Sequence, residues 1–300
     1  MTTERPPVEG LLEIPLPSYH KLLALASAAS RSEPDQDRRW AIALLEGLMK
    51  RYSHVLAIGQ ELVLALLECR EEEKAEAVLR RLDRSFTNLD EETQCRWGRL
   101  FKDQGDAYVR LPWSDPDGRP ADFEMARVFY RKSIDRYDQA YRIRSGHYPG
   151  INKATLLLIL GTLQRPIAGA PSKEIEESEA LAKALLDGRS RWPTEFKEDE
   201  TLWHPATAGE AYLLRRMWDA AAQQYGNALK SRHINAHART TMYRQVERIR
   251  TCFAILGVTI PPPLSDPKTF FSQGLSTDGG TGPTLQASPN TAAQQEGEKP

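Results

Sequence analysis

WHPATAGEAYLLRRMWDAAAQQYGNAL, residues 203–229, holds two helical segments joined by a very short turn. On the first, small Gly209 is followed three residues later by Tyr212. On the second, Ala221, Tyr225 and Ala228 recur at four- and three-residue steps and so share one face. Two helices cross closely only where side chains are tiny, and aromatic rings fill the space that remains. The stretch therefore reads as a tightly crossed antiparallel helix pair.

Outward from it, the same pattern recurs. A degenerate copy runs through Gly105, Tyr108, Ala126, Tyr130 and Ser133, split by a Pro/Asp/Gly-rich insertion at Leu111–Pro120. Looser copies cover Leu62–Leu82 and Leu157–Leu185. Apolar periodicity places helices near 18–31, 37–51, 54–70, 72–86, 90–110, 121–144, 151–164, 173–188, 201–215, 217–231 and 235–256. In the last of these Met242, Val246, Ile249, Phe253 and Leu256 form one stripe, with Gly257 placed as the cap. No sustained apolar/polar alternation marks a strand. Several small–aromatic pairs in tandem make a tetratricopeptide-type right-handed α-solenoid, all-α, over residues 18–257. Residues 1–17 read as an extended lead-in. Residues 258–300, rich in Pro, Gly, Ser and Thr, read as a disordered tail in which Thr269–Leu275 is either a docking peptide or a linker.

Composition narrows the function. A formal net charge of -1 lacks the basic excess of a nucleic-acid binder. The densest apolar run, Leu156–Leu160, falls far below the roughly 18–20 residues of a membrane span, so no membrane role is expected. Met1–Gly10 has neither the basic start nor the apolar core of a signal peptide. Three scattered cysteines, Cys69, Cys95 and Cys252, read as reduced thiols, and a cytoplasmic location is expected. His233 and His237 have helical metal-pair spacing but no third ligand nearby, so no metal or other cofactor is expected. No nucleophile–base motif is present, which points away from an enzyme.

The ordered series Trp97-Gly98-Arg99-Leu100-Phe101-Lys102-Asp103, Ala126–Tyr130 and Tyr148-Pro149-Gly150-Ile151-Asn152 resembles the TRAFs-binding, tetratricopeptide-like regulatory region of the apoptosis signal-regulating kinases. Leu202–Ala211 resembles the following repeat of bacterial relatives. The kinase itself has no counterpart here: there is no Gly-rich phosphate loop and no catalytic-loop motif. The resemblance implies a regulatory module detached from its kinase, acting as a sensor or adaptor in signalling.

In tetratricopeptide repeats the first helix of each pair lines a concave groove. Counting from the small residue selects Arg99, Lys102, Asp106 and Val109 around Gly105. It selects Thr155, Leu158, Thr162 and Arg165 around Gly161, with Asn152 a turn earlier, and Trp203, Ala206, Glu210 and Leu213 around Gly209. Tyr148 and Arg244 complete the candidate wall. An Arg, a Lys, an Asn and an aromatic suit an anionic ligand with a flat ring, such as a nucleotide-like molecule. They equally suit a partner protein, including a second copy of the chain. Each residue also has a structural reading: Arg99 and Lys102 in surface ion pairs with Asp103, Asp106 or Glu92, Asn152 as a helix cap, Tyr148 packed between repeats. A partner protein held in the groove is the leading expectation, and the anionic small molecule the alternative.

Overall fold

A computed structural model describes residues 8–12, 19–32, 35–86, 90–109, 122–164, 172–192 and 199–272. It is helical throughout these residues: α1 (Val8–Leu12), α2 (Tyr19–Ser30), α3 (Asp35–Arg51), α4 (Leu56–Glu68), α5 (Glu72–Ser85), α6 (Glu91–Val109), α7 (Phe123–Arg144), α8 (His147–Leu163), α9 (Lys173–Asp187), α10 (His204–Leu214), α11 (Trp218–Leu229), α12 (Ala236–Ile255) and α13 (Pro267–Ser272). Consecutive helices from α2 to α11 pack as antiparallel pairs, and the pairs stack into the expected all-α solenoid. The Leu111–Pro120 insertion lies outside the described residues.

Close crossing is achieved as the small–aromatic pattern requires. A Cβ on Gly105 would stand 2.7 Å from the Tyr130 ring, and one on Gly209 would stand 3.0 Å from the Tyr225 ring. Both rings are fully buried, so each glycine gives its partner aromatic a seat. Two of the intra-pair turns are built alike. Glu71 N donates to Leu66 O after α4, and Met217 N donates to Tyr212 O after α10, both at 2.9 Å. Each turn puts an arginine in the left-handed region, Arg70 at φ 61° and Arg216 at φ 57°.

The core has two parts. Leu22 to Leu100, from α2 to α6, form one apolar cluster, and Cys95 to Phe271, from α6 to α13, form the other. They meet on α6, where Trp97 and Leu100 belong to the first and Cys95 and Val109 to the second.

Several boundaries differ from the sequence reading. Within the expected extended lead-in, Val8–Leu12 is helical and packs on α3. Helix α8 starts at His147 rather than near 151, so Asn152 is an interior residue and not a cap. The segment after residue 258, expected to belong to a disordered tail, is folded as far as residue 272. Gly257, at φ 73°, ends α12 as anticipated, and the chain then folds back. Ile260, Leu264, Phe270 and Phe271 are buried, and the Phe271 ring stands edge-on to Tyr225 at 5.4 Å. Arg239 Nη1 donates to Phe271 O at 3.1 Å. The anchors are few and irregularly spaced, so no periodicity announced them. They order because they enter a core already formed by α11 and α12. Residues 273–300, which include Leu275 of the suggested docking peptide, lie outside the described residues.

Candidate functional site

Helix α12 decides what the concave wall can do. Its expected stripe is buried, with Met242, Val246, Ile249 and Phe253 in the core and Leu256 half-buried. With Ala238 and Cys252 it packs on α8 and α10, the first helices of two pairs. The wall over those pairs is thereby covered by the chain's own helix.

A polar network lies beneath that cover, and most of the candidate residues belong to it. Thr155 Oγ1 donates to Glu210 Oε1 at 2.5 Å, and Gln245 Nε2 donates to the same oxygen at 2.9 Å. Arg248 donates to Gln245 Oε1 at 2.6 Å and to Asp106 Oδ2 at 2.5 Å. Tyr130 OH donates to Asp106 Oδ1 at 2.8 Å. Lys102 Nζ donates to Asn152 Oδ1 at 3.2 Å, and Asn152 Nδ2 donates to Tyr148 O at 2.9 Å. Arg99 pairs with Glu68 at 2.7 Å and with Asp103 at 3.6 Å. Four helices, α6, α8, α10 and α12, are cross-linked by groups that all need partners once water is excluded.

Burial sets the charge states. It raises the pKa of the Glu210 carboxyl despite the bonds from Thr155 and Gln245. It lowers Lys102 to about 8, assisted by Arg248 and opposed by Asp103 and Asp106. For Arg99, burial works against the charge, but Asp103 and Glu68 outweigh it and hold the guanidinium above its ordinary value. Burial also pushes the three thiols up, Cys252 to about 12, so none is a thiolate at neutral pH. All three cysteines are free thiols. Among the described residues, no three His, Cys, Asp or Glu side chains are placed to hold a metal ion.

What stays open beside α12 is a cleft of about 510 Å3 between the ends of α3 and α4, the middle of α6 and one face of α12. Its walls carry Arg38, Arg70, Arg99, Arg244 and Arg248 against Glu68, Asp103, Asp106 and Glu247. The acids are spoken for: Glu68 and Asp103 by Arg99, Asp106 by Arg248, and Glu247 by Arg250. Arg38 donates to Ser32 O at 3.1 Å and lies 3.6 Å from Asp35. Among the described residues, the side chains of Arg70 and Arg244 have neither an ion pair nor a hydrogen bond, and both are exposed.

The candidate residues thus divide. Arg99, Asp106 and Arg244 line the cleft. Lys102, Asn152, Thr155 and Glu210 lie in the network, Asn152 being 5% and Glu210 7% exposed. Tyr148 touches the preceding pair through Tyr137, yet a good part of its side chain faces solvent. It is 42% exposed, edge-on to Tyr137. Trp203 does not line the cleft; it is half-buried against the C-terminal core. Of the other groove positions, Val109, Leu158, Thr162, Ala206 and Leu213 are buried, and Arg165 lies outside the described residues. Repeat counting missed Arg38, Arg70 and Arg248. Arg70 sits on an intra-pair turn that the count skips. Arg248 lies one turn beyond Arg244 on α12 and enters the cleft on the same face.

Against protein-family models, residues 37–157 match the tetratricopeptide-repeat sensor family (Tetratricopeptide Repeats-Sensor), which is less than half of the chain. Both signature segments, 97–103 and 148–152, lie inside the match. It supports a tetratricopeptide-like domain and is coarser than the kinase-region resemblance. No curated protein and no solved structure matches the chain.

Proposed function

We propose that this repeat-type sensor or protein-interaction module works, without catalysis, as a sensor whose cleft between α4, α6 and α12 binds an anionic small molecule. The observation that carries this reading is the pair of uncommitted arginines, Arg70 and Arg244, on a cleft whose carboxylates already have partners. Guanidinium groups without partners favour carboxylate or phosphoryl oxygens in a bidentate contact. The part of the groove over α8 and α10 is filled by α12, which leaves less room for a peptide or partner helix there.

A partner protein, possible also as a second copy of the chain, is the second reading. It draws support from Ile143 and Tyr148, 48% and 42% exposed, which leave an apolar surface at the α7–α8 junction. The signalling role implied by the kinase-region resemblance fits either reading, as does a cytoplasmic setting. Among the described residues no helix is long and apolar enough to cross a membrane.

Native mass spectrometry of the protein purified gently from its host separates the two. An anionic adduct kept by the wild type and lost on Arg244→Ala is the expected result. A chain that carries a second protein or a second copy, and no adduct, overturns the sensor reading in favour of the partner.

A further inference from the structure

Resting on the sensor reading, we infer that the cleft is a two-sided clamp for a ligand with two separate anionic groups, Arg70 taking one from the N-terminal arm and Arg244 the other from α12.

Three observations lead here. First, the two walls belong to different cores. Arg38 and Arg70 extend from the α2–α6 cluster, whereas Arg244 and Arg248 stand on α12 in the α6–α13 cluster. The cleft is therefore a junction between two separately packed bodies that share α6. Such a junction is softer than either core, because few apolar contacts cross it.

Second, the ion pairs of the cleft-lining arginines Arg99 and Arg248 run to or from the shared helix, and Arg244 acts on Glu68 only through its field. Arg99 joins α6 to the end of α4 through Glu68, and Arg248 joins α12 to α6 through Asp106. Among the described residues, neither Arg70 nor Arg244 makes an ion pair or a hydrogen bond across the gap. The gap between those walls is left to the ligand.

Third, the two arginines that lack an ion pair or hydrogen bond, Arg70 and Arg244, stand on opposite walls and carry the same sign, with Glu68 drawing Arg244 only through its field. Arg38 and Arg70 on one side and Arg244 on the other line the same cleft, and like charges brought into one cleft repel. An anion placed between them converts repulsion to attraction on both sides. A ligand with one anionic group satisfies one wall and leaves the other unpaired. A ligand with two, separated by a short linker, satisfies both and draws the arms together. The bound and free forms then differ in shape, as a sensor's output requires.

Arg70 shares its turn geometry with Arg216. It holds a left-handed conformation, φ 61°, at a turn position where glycine is the residue without penalty. This makes Arg70→Gly a clean probe: it removes the guanidinium while relaxing the backbone. Arg244 is exposed on a helix and free of side-chain partners, so Arg244→Ala leaves the fold intact.

The test uses the full chain, titrated calorimetrically with inorganic pyrophosphate and with orthophosphate at constant ionic strength, while small-angle X-ray scattering records the radius of gyration. Pyrophosphate is expected to bind at least about tenfold more tightly than orthophosphate and to reduce the radius of gyration. Arg70→Gly and Arg244→Ala should each abolish the preference and the compaction. Pyrophosphate binding that survives either substitution, or that leaves the radius unchanged, overturns the clamp and leaves the sensor reading standing. If neither anion binds but the native protein carries an anionic adduct, the two-anion ligand class is wrong and the sensor survives. If neither binds and no adduct is present, both fall.

Discussion

Lys102 is the residue whose chemistry departs furthest from its surface reading. A solvated lysine in an i,i+4 pair keeps an ordinary pKa, but this one is enclosed by α8 and α12 and is lowered to about 8. The sign of its effect on stability follows. Below about pH 8 the amine is charged in both folded and unfolded chains, and folding bears the full desolvation penalty. Between about 8 and its ordinary 10.5 the folded chain has released the proton while the unfolded chain retains it, so the penalty fades as pH rises. Relative to Lys102→Met, the wild type should gain up to about 3 kcal/mol from pH 7.5 to pH 10.5. Urea unfolding of both proteins at the two pH values measures this directly. A constant difference would mean that Asp103 and Asp106 keep the amine charged after all. Residue types alone marked Arg99, Lys102, Asn152 and Glu210 as inward-facing polar groups. Whether each is a contact for a ligand or a tie between helices depends on what lies opposite, and that is supplied by distant parts of the chain.

At the scale of the helix pair, the small–aromatic code was fully legible, because it is a local steric statement about two neighbouring helices. Gly105 and Gly226 show its two limits. An added methyl at Gly105 meets the buried Tyr130 ring at 2.7 Å, whereas at Gly226 nothing lies within 4 Å. Gly105→Ala should therefore destabilise by about 1–3 kcal/mol, overpacking outweighing the helix-propensity gain. Gly226→Ala should stabilise by about 0.5–1 kcal/mol, since only that gain remains. Thermal unfolding of the two variants checks both directions, and a stabilising Gly105→Ala would show that the α6–α7 crossing is looser than described. The same locality explains why the turn arginines Arg70 and Arg216 escaped notice. Their left-handed geometry comes from carbonyls one turn back, and an arginine there resembles any other solvated residue.

The whole molecule is a solenoid closed on itself by its C-terminal third. α12 enters the concave side and the segment after Gly257 returns to brace it. If Phe271 is seated against Tyr225 as described, Phe271→Ala should cost about 3–5 kcal/mol, the range for a buried aromatic. A change within about 0.5 kcal/mol, measured by chemical denaturation, would mean that this segment adds nothing to the core. By itself the sequence determined the helices from α2 to α12, their pairing and the tetratricopeptide-type stacking, because these rest on 3.6-residue periodicity and on side-chain sizes a few positions apart. Only the tertiary structure decided that α12 covers the groove, that four helices share one polar network, and that Arg70 and Arg244 face a common cleft. Those contacts join residues separated by 35 to 142 positions, beyond the reach of any one helix pair. Their formation depends on how the small rotation between successive pairs accumulates along the stack, and no single pair of helices records that sum.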